Sequence, residues 1–185
     1  MPTSNEIPYC AWVSEIILFT LHKLGGLTLL FAFRYFCFAL YMLLIVFFAS
    51  KRGLLRHPLT WTAALLGSAM ADPSAFFIKP EIFSFVLMST SVALWFGIKS
   101  SRNEPWRLCY FFPLIMLVWV NTHGAFIFGC IFLIVINLGE GINRVFSPRH
   151  VLTIRVHRHL LYASALACLA VFINPYGTGY IKQVL

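Results

Sequence analysis

Long apolar stretches separated by short basic ones constrain this chain more than any other feature of its sequence. The clearest apolar stretch covers residues 27–50 and holds one charged residue, Arg34. A helix needs about 20 apolar residues to cross a bilayer. Only 11% of the 185 residues are charged, against about a quarter in soluble domains. The sequence therefore predicts an integral membrane protein and excludes a soluble domain, a disordered chain and a disulfide-stapled secreted fold.

The basic residues predict how the chain is threaded through the membrane. Ten of the fourteen Lys and Arg residues fall in three stretches, at 51–57, 99–107 and 141–158. Short basic loops stay on the cytoplasmic side, so an even number of crossings should separate them. We therefore expect a multi-pass protein of the plasma membrane, an all-α helix bundle with about six spans. These are residues 27–50, 59–78, 82–98, 108–120, 125–138 and 160–173. The net charge of +8 then reports topology, and nucleic acid is not an expected partner.

Residues 1–26 differ from the predicted bundle of residues 27–185. The segment from Trp12 to Lys23 is amphipathic, with apolar residues on one helical side and Glu15 among the polar residues on another. This pattern is typical of a helix lying in the outer membrane interface, with Gly25 and Gly26 turning the chain inward. The alternative is one bent helix over residues 12–50.

Several polar residues fall on the outer face in this topology. Ionisable groups at membrane depth are costly and usually face protein or water, so these residues are candidates for chemistry. Glu15 and Asp72 are the candidate catalytic carboxylates, and Arg34, Lys79, Asn121 and His123 are the candidate substrate-binding residues. Each also has a structural alternative, such as snorkelling for Arg34, a loop carboxylate for Asp72 and interfacial capping for His123.

The sequence gives no sign of a cofactor. It contains no phosphate-binding loop, dinucleotide fingerprint or catalytic serine motif, and its five cysteines lack metal-binding spacing. We predict no metal site and no cofactor, and nothing in the sequence indicates a divalent cation.

An ordered series of short motifs resembles a group of uncharacterised bacterial and archaeal polytopic membrane proteins. The motifs are Trp12-Val13-Ser14-Glu15, residues 22–27 (HKLGGL), residues 79–85 (KPEIFSF), residues 119–126 (WVNTHGAF) and Asn174-Pro175-Tyr176-Gly177. The group is similar to the C-type glycosyltransferase superfamily, which includes dolichyl-phosphate-mannose mannosyltransferase-like and arabinose-transferase-like enzymes.

The resemblance implies a hexosyl or pentosyl transferase in the lipid bilayer, using a polyprenyl-phosphate sugar and an unknown acceptor at the outer face. Such proteins carry a catalytic acid in a large outer loop that follows a first span. This sequence begins where the end of that loop would lie, so we expect a fragment that lacks the acidic loop. Lys79 stands where the family often has Arg, which keeps the charge but loses a bidentate phosphate contact.

Two other functions stay open at this point. A non-catalytic membrane subunit would bind polyprenyl lipid or a partner without sugar turnover. A transporter would also need a polar outward cavity, but the predicted cytoplasmic halves of the spans hold few polar residues.

Overall fold

The computed structural model describes residues 11–51, 53, 56, 58, 78–101, 105–147 and 151–177. Within these ranges all regular structure is helical, which confirms the predicted all-α bundle. The elements are α1 (Trp12–Lys51), α2 (Glu81–Ser100), a 3-10 helix (Trp106–Tyr110), α3 (Phe111–Thr122), α4 (Phe126–Phe146) and α5 (Ile154–Ala170). The predicted span 59–78 and the candidate Asp72 lie outside the described residues, apart from Ile78.

Three of the helices are long and apolar enough to cross a membrane, namely α1, α2 and α4. Residues 106–122 and α5 form shorter helical segments, so six crossings remain a prediction. Helix α4 shows the pattern most clearly. Its buried residues follow one helical stripe that includes Gly129, Leu133 and Ile136, whereas its opposite face exposes large apolar side chains such as Phe128 and Ile134. An apolar outer surface is expected where lipid replaces water around the helix.

Helix α1 is sharply kinked at two glycines. Gly26 adopts φ 60° and ψ −152°, a conformation that is essentially restricted to glycine. The kink divides α1 into an N-terminal arm, residues 12–24, and a C-terminal arm, residues 27–51. Ser14 of the N-terminal arm and Ala11, which directly precedes the arm, are buried, whereas Leu24 is 75% exposed. The fully buried side of the arm is therefore narrower than the apolar face the sequence indicates, since Ile16 and Phe19 are exposed and Val13 and Ile17 are half-buried.

The candidate site residues Asn121 and His123 lie at one end of the helix bundle, and the described basic residues of the second and third basic stretches lie at the other. We call the end that contains residues 121–125, the start of α2 and the N-terminal arm the hairpin end. We call the other end the basic end; it holds Lys99, Arg107, Arg144, Arg155 and Arg158. Helices α2 and α4 run from the hairpin end to the basic end, and α3 and α5 run back. The described parts of the basic stretches at 99–107 and 141–158 therefore share one end.

A buried ion pair organises the basic end. Lys99 of α2 contacts Glu140 of α4, whose side chain is 2% exposed. The second oxygen of that carboxylate, Oε2, accepts the backbone N–H of Leu152 at 2.8 Å. This pairing lets α4 continue through Glu140 to Phe146, beyond residue 138 where the sequence pattern ends the predicted span.

Candidate functional site

The hairpin end is built around a tight turn between α3 and α4. Helix α3 ends at Thr122, and His123 follows in an extended conformation. The N–H of His123 still donates to the Trp119 carbonyl at 3.0 Å. The extended residue redirects the chain, and α4 begins at Phe126, so the His123 side chain lies at the end of the bundle.

A hydrogen-bonded chain of three side chains fixes the His123 ring. The indole Nε1–H of Trp119 donates to Ser84 Oγ at 2.8 Å, and Ser84 Oγ lies 2.9 Å from His123 Nδ1. Trp119 is 1% exposed and packs on Gly129, where a Cβ atom would lie 2.8 Å from the indole Cζ3. Ser84 stands in the first turn of α2. We call this chain the Trp-Ser-His relay.

The donors around His123 determine which ring nitrogen carries the proton. The backbone N–H of Ala125 points at Nδ1 from 3.3 Å, and an amide N–H can only donate, so Nδ1 is an acceptor. The indole of Trp119 can also only donate, so Ser84 accepts that bond and passes its own hydroxyl proton towards Nδ1. The proton of the neutral imidazole is therefore on Nε2.

The charge state of His123 follows from its surroundings. Burial lowers its pKa, and the negative charge of Glu81 opposes that shift in part. An ordinary histidine titrates near 6.5, so His123 is neutral at pH 7. It presents Nε2–H as a hydrogen-bond donor.

Asn121 joins three parts of the hairpin end. Its Oδ1 accepts the indole N–H of Trp12 at 2.9 Å. Its Nδ2 donates to the Leu117 carbonyl at 2.8 Å and to the Ile173 carbonyl at 2.9 Å. The amide therefore ties the N-terminal arm and the segment that follows α5 to α3, and most of its hydrogen-bonding capacity is already used.

Ser14 makes a second link between the N-terminal arm and the turn. Its side chain is fully buried, and its hydroxyl lies 2.7 Å from both the Ala11 carbonyl and the Thr122 carbonyl. Because Thr122 directly precedes His123, this contact brings Glu15 of the arm next to the turn.

Two open grooves flank Trp12. One, about 690 Å³ in volume, is lined by Glu15, Phe19 and Pro80 among others. The other, about 500 Å³, is lined by residues that include Asn121 and Asn174. Most of the residues lining both grooves are apolar, and each groove holds one or two polar groups. This composition suits an amphipathic ligand with a polar head.

The structure brings most of the predicted site residues to this end. Glu15 and Lys79 are exposed, and Lys79 directly precedes the groove residue Pro80. Arg34 lies on the C-terminal arm, with its guanidinium 5.1 Å from the centre of the Tyr35 ring. Its neighbour Phe33 packs on Phe83 at 5.8 Å, so Arg34 is at the depth of the first turn of α2.

The residues that sequence reasoning missed are the small and aromatic members of the network. Ser14, Ser84 and Trp119 stand inside the motifs that carry the family resemblance, yet their residue types gave no reason to assign them a role. Ser84 and Trp119 are 35 positions apart. The only available signal was their presence in the same ordered motif series.

Comparisons with known proteins leave the family resemblance as a prediction. No family model, curated protein or solved structure matches the chain. Among the described residues, no group of three His, Cys, Asp or Glu side chains converges as a metal-binding set.

Proposed function

We propose that this chain is a membrane glycosyltransferase, or a fragment of one, that transfers a sugar from a polyprenyl-phosphate donor. In this proposal the protein is a multi-pass protein of the plasma membrane. The three basic loops face the cytoplasm, and the hairpin end faces outward.

The Trp-Ser-His relay is the observation that carries the proposal. A histidine held neutral, with Nδ1 occupied and Nε2–H presented, is a fixed donor for a phosphate oxygen. Lys79 adds an ammonium group at the same end of the bundle, and the groove beside it is lined by apolar side chains. A donor, a cation and an apolar groove match the phosphate and the prenyl chain of a lipid-linked sugar.

The proposed reaction needs a base and a stabilised leaving group. The acceptor hydroxyl oxygen forms a bond to the anomeric carbon while the bond from that carbon to the phosphate oxygen breaks. Glu15 takes the acceptor proton, and the departing polyprenyl phosphate keeps the electron pair. His123 Nε2–H and Lys79 stabilise the charge on the phosphate. Asp72, the other candidate carboxylate, and Arg34, a further phosphate candidate, keep these roles as alternatives.

The test is sugar transfer from a radiolabelled polyprenyl-phosphate sugar by membranes containing the full-length protein. We expect His123→Ala and Lys79→Ala to lower transfer about 10²-fold or more, since donors to a developing charge contribute on that order. Glu15→Gln should abolish transfer and preserve lipid binding. His22→Ala is the matched control for His123→Ala, because His22 is an exposed histidine on the N-terminal arm, outside the relay. Normal transfer by all three site variants would refute the proposal.

A second candidate function is that of a non-catalytic subunit, and the hydrogen bonds of Asn121 favour it. The sequence predicts that Asn121 binds substrate, but its amide bonds three protein groups and so has a structural role. A non-catalytic subunit that binds polyprenyl lipid would need the relay and the groove but no carboxylate. That function predicts that Glu15→Gln and the wild type bind polyprenyl phosphate equally and that neither transfers sugar.

A further inference from the structure

Two free cysteines lie side by side on neighbouring helices and take no part in the proposed sugar transfer. Cys130 stands about one turn after the start of α4, and Cys168 stands in the last turn of α5. A rise of about 1.5 Å per residue puts each of them within about 6 Å of that end of its helix, along the axis. Because the two helices run in opposite directions, both cysteines are near the hairpin end.

Two contacts between α4 and α5 set the positions of the thiols. Asn137 Nδ2 of α4 donates to Ser164 Oγ of α5 at 2.9 Å. This bond fixes the register of the two helices two turns from Cys130 and one turn from Cys168. At that register the Cys130 and Cys168 thiols are hydrogen-bonded to each other. A disulfide requires two thiols that approach each other from adjacent backbone positions, and these two are already in contact in the folded bundle.

The two thiols differ in their access to small molecules. Cys168 is exposed at the surface of the bundle, whereas Cys130 is half-buried and packs against the hydrophobic core. The other free cysteines of the described residues, Cys37 of α1 and Cys109 of the 3-10 helix, are buried. Thiol reactivity requires access as well as a thiolate. Cys168 is therefore the described cysteine that an external oxidant reaches first, and Cys130 is the thiol beside it.

We propose that Cys130 and Cys168 form a dithiol site that a small disulfide, R–S–S–R, oxidises to an internal disulfide. The Cys168 thiolate attacks one sulfur of the oxidant, a new sulfur–sulfur bond forms, and R–S⁻ leaves and takes the proton that Cys168 gave up. Cys130 Sγ then attacks Cys168 Sγ. This second exchange forms the protein disulfide and releases the other R–S⁻, which takes the Cys130 proton. The two cysteines lose two electrons, and the oxidant gains them as two thiols.

The disulfide would restrain one wall of the groove of about 500 Å³. Ile173 lines that groove and lies just after the end of α5, and its carbonyl is held by Asn121. A bond from Cys168 to Cys130 would fix the end of α5 to α4. Disulfides persist on the outer side of the plasma membrane, where the proposed topology places the hairpin end. That setting rests on the proposed function, whereas formation of the disulfide does not depend on sugar transfer.

The experiment is oxidation of the purified full-length chain, in detergent micelles, with dithiodipyridine, a small apolar disulfide. Mass spectrometry of the cysteine peptides is the measurement. We expect a link between Cys130 and Cys168 that dithiothreitol reverses. Cys130→Ser should stop at the mixed disulfide, with a thiopyridine group retained on Cys168, because the second exchange has no thiol. Cys37→Ala is the matched control, because Cys37 is a free cysteine on another helix, and it should form the link as the wild type does.

Three outcomes would overturn the proposal. Thiopyridine groups retained on both Cys130 and Cys168 of the wild type, with no link, would show that the two sulfurs do not join. A link from Cys168 to Cys10 or to a second copy of the chain would identify a different partner. An unmodified Cys168 in Cys130→Ser would show that the oxidant does not reach this thiol. Thermal unfolding of each variant, without oxidant, checks that the fold is retained.

Discussion

The two ends of the bundle satisfy the hydrogen bonds and charges of their polar side chains in different ways. The hairpin end uses neutral donors and acceptors, which bond to one another in the Trp-Ser-His relay and to backbone carbonyls at Asn121. The basic end uses charge, with Lys99 paired to the buried Glu140. Arg144 adds a 3.0 Å bond to the Leu152 carbonyl.

This difference indicates that the basic end serves the stability of the fold and the hairpin end serves ligand binding. At the basic end both oxygens of the buried Glu140 carboxylate already bind protein groups. At the hairpin end the neutral network ends in His123 Nε2–H, with Glu15 and Lys79 exposed nearby. We therefore expect substitutions at the ion pair to act on folding, and substitutions at the end of the relay to act on ligand binding.

Lys99→Met should have the largest effect on stability. Removing one partner of a buried pair leaves an uncompensated charge and costs about 3–5 kcal/mol. Glu140→Gln should cost less, because the remaining Lys99 is 19% exposed and can reach solvent. The measurement is the free energy of unfolding in mixed detergent micelles. The double variant Lys99→Met/Glu140→Gln should recover part of the loss, and strictly additive losses would contradict the pairing.

Gly129→Ala should have the next largest effect on stability, and this effect should arise at the hairpin end. The added Cβ would lie 2.7 Å from Met116 Sδ and 2.8 Å from Trp119 Cζ3, and overpacking of this kind costs about 1–3 kcal/mol. Gly139→Ala on the same helix is the control, because nothing lies within 4 Å of a Cβ at Gly139. Thermal unfolding in detergent should separate the two variants, and equal midpoints would argue against the close contact with the indole.

Trp12→Phe should have a smaller effect, because it removes one neutral hydrogen bond. The phenylalanine ring cannot donate to Asn121 Oδ1, and such a bond contributes about 1 kcal/mol. We expect faster proteolysis of the N-terminal arm and unchanged unfolding of the rest of the bundle. Leu24→Ala, at a position that is 75% exposed on the same arm, should leave the rate unchanged. A cleavage rate equal to that of the wild type in Trp12→Phe would show that the bond does not hold the arm.

The smallest effect should be a pH dependence due to His123. Burial lowers its pKa in the folded protein, so unfolding takes up a proton at pH values between the folded and the unfolded pKa. The stabilisation by neutral His123 is complete well above pH 6.5 and is lost as pH falls below that value through the folded pKa. Unfolding free energies from pH 5 to 8 for the wild type and His123→Gln should therefore converge on acidification. A difference that is constant with pH would contradict the shift.

The sequence is informative wherever a local pattern decides the structure. Apolar length and scarce charge predict the helical bundle, and Gly25-Gly26 marks the kink in α1. Pairing across the bundle could not be predicted in the same way. Lys99 and Glu140 are 41 residues apart, and no local pattern indicates that one neutralises the other. The hydrogen bonds of Asn121 also join distant parts of the chain. The sequence therefore predicts that Asn121 binds substrate, whereas in the structure its amide links three segments of the protein.

Nitrogen NMR of the protein with ¹⁵N-labelled histidine, reconstituted in lipid bilayers at pH 7, tests the central claim most directly. His123→Gln assigns the signals. The account predicts a neutral His123 ring with the proton on Nε2 and an unprotonated, hydrogen-bonded Nδ1. Ser84→Ala should perturb Nδ1 most. A proton on Nδ1, or a charged ring, would contradict the relay and the donor that it presents.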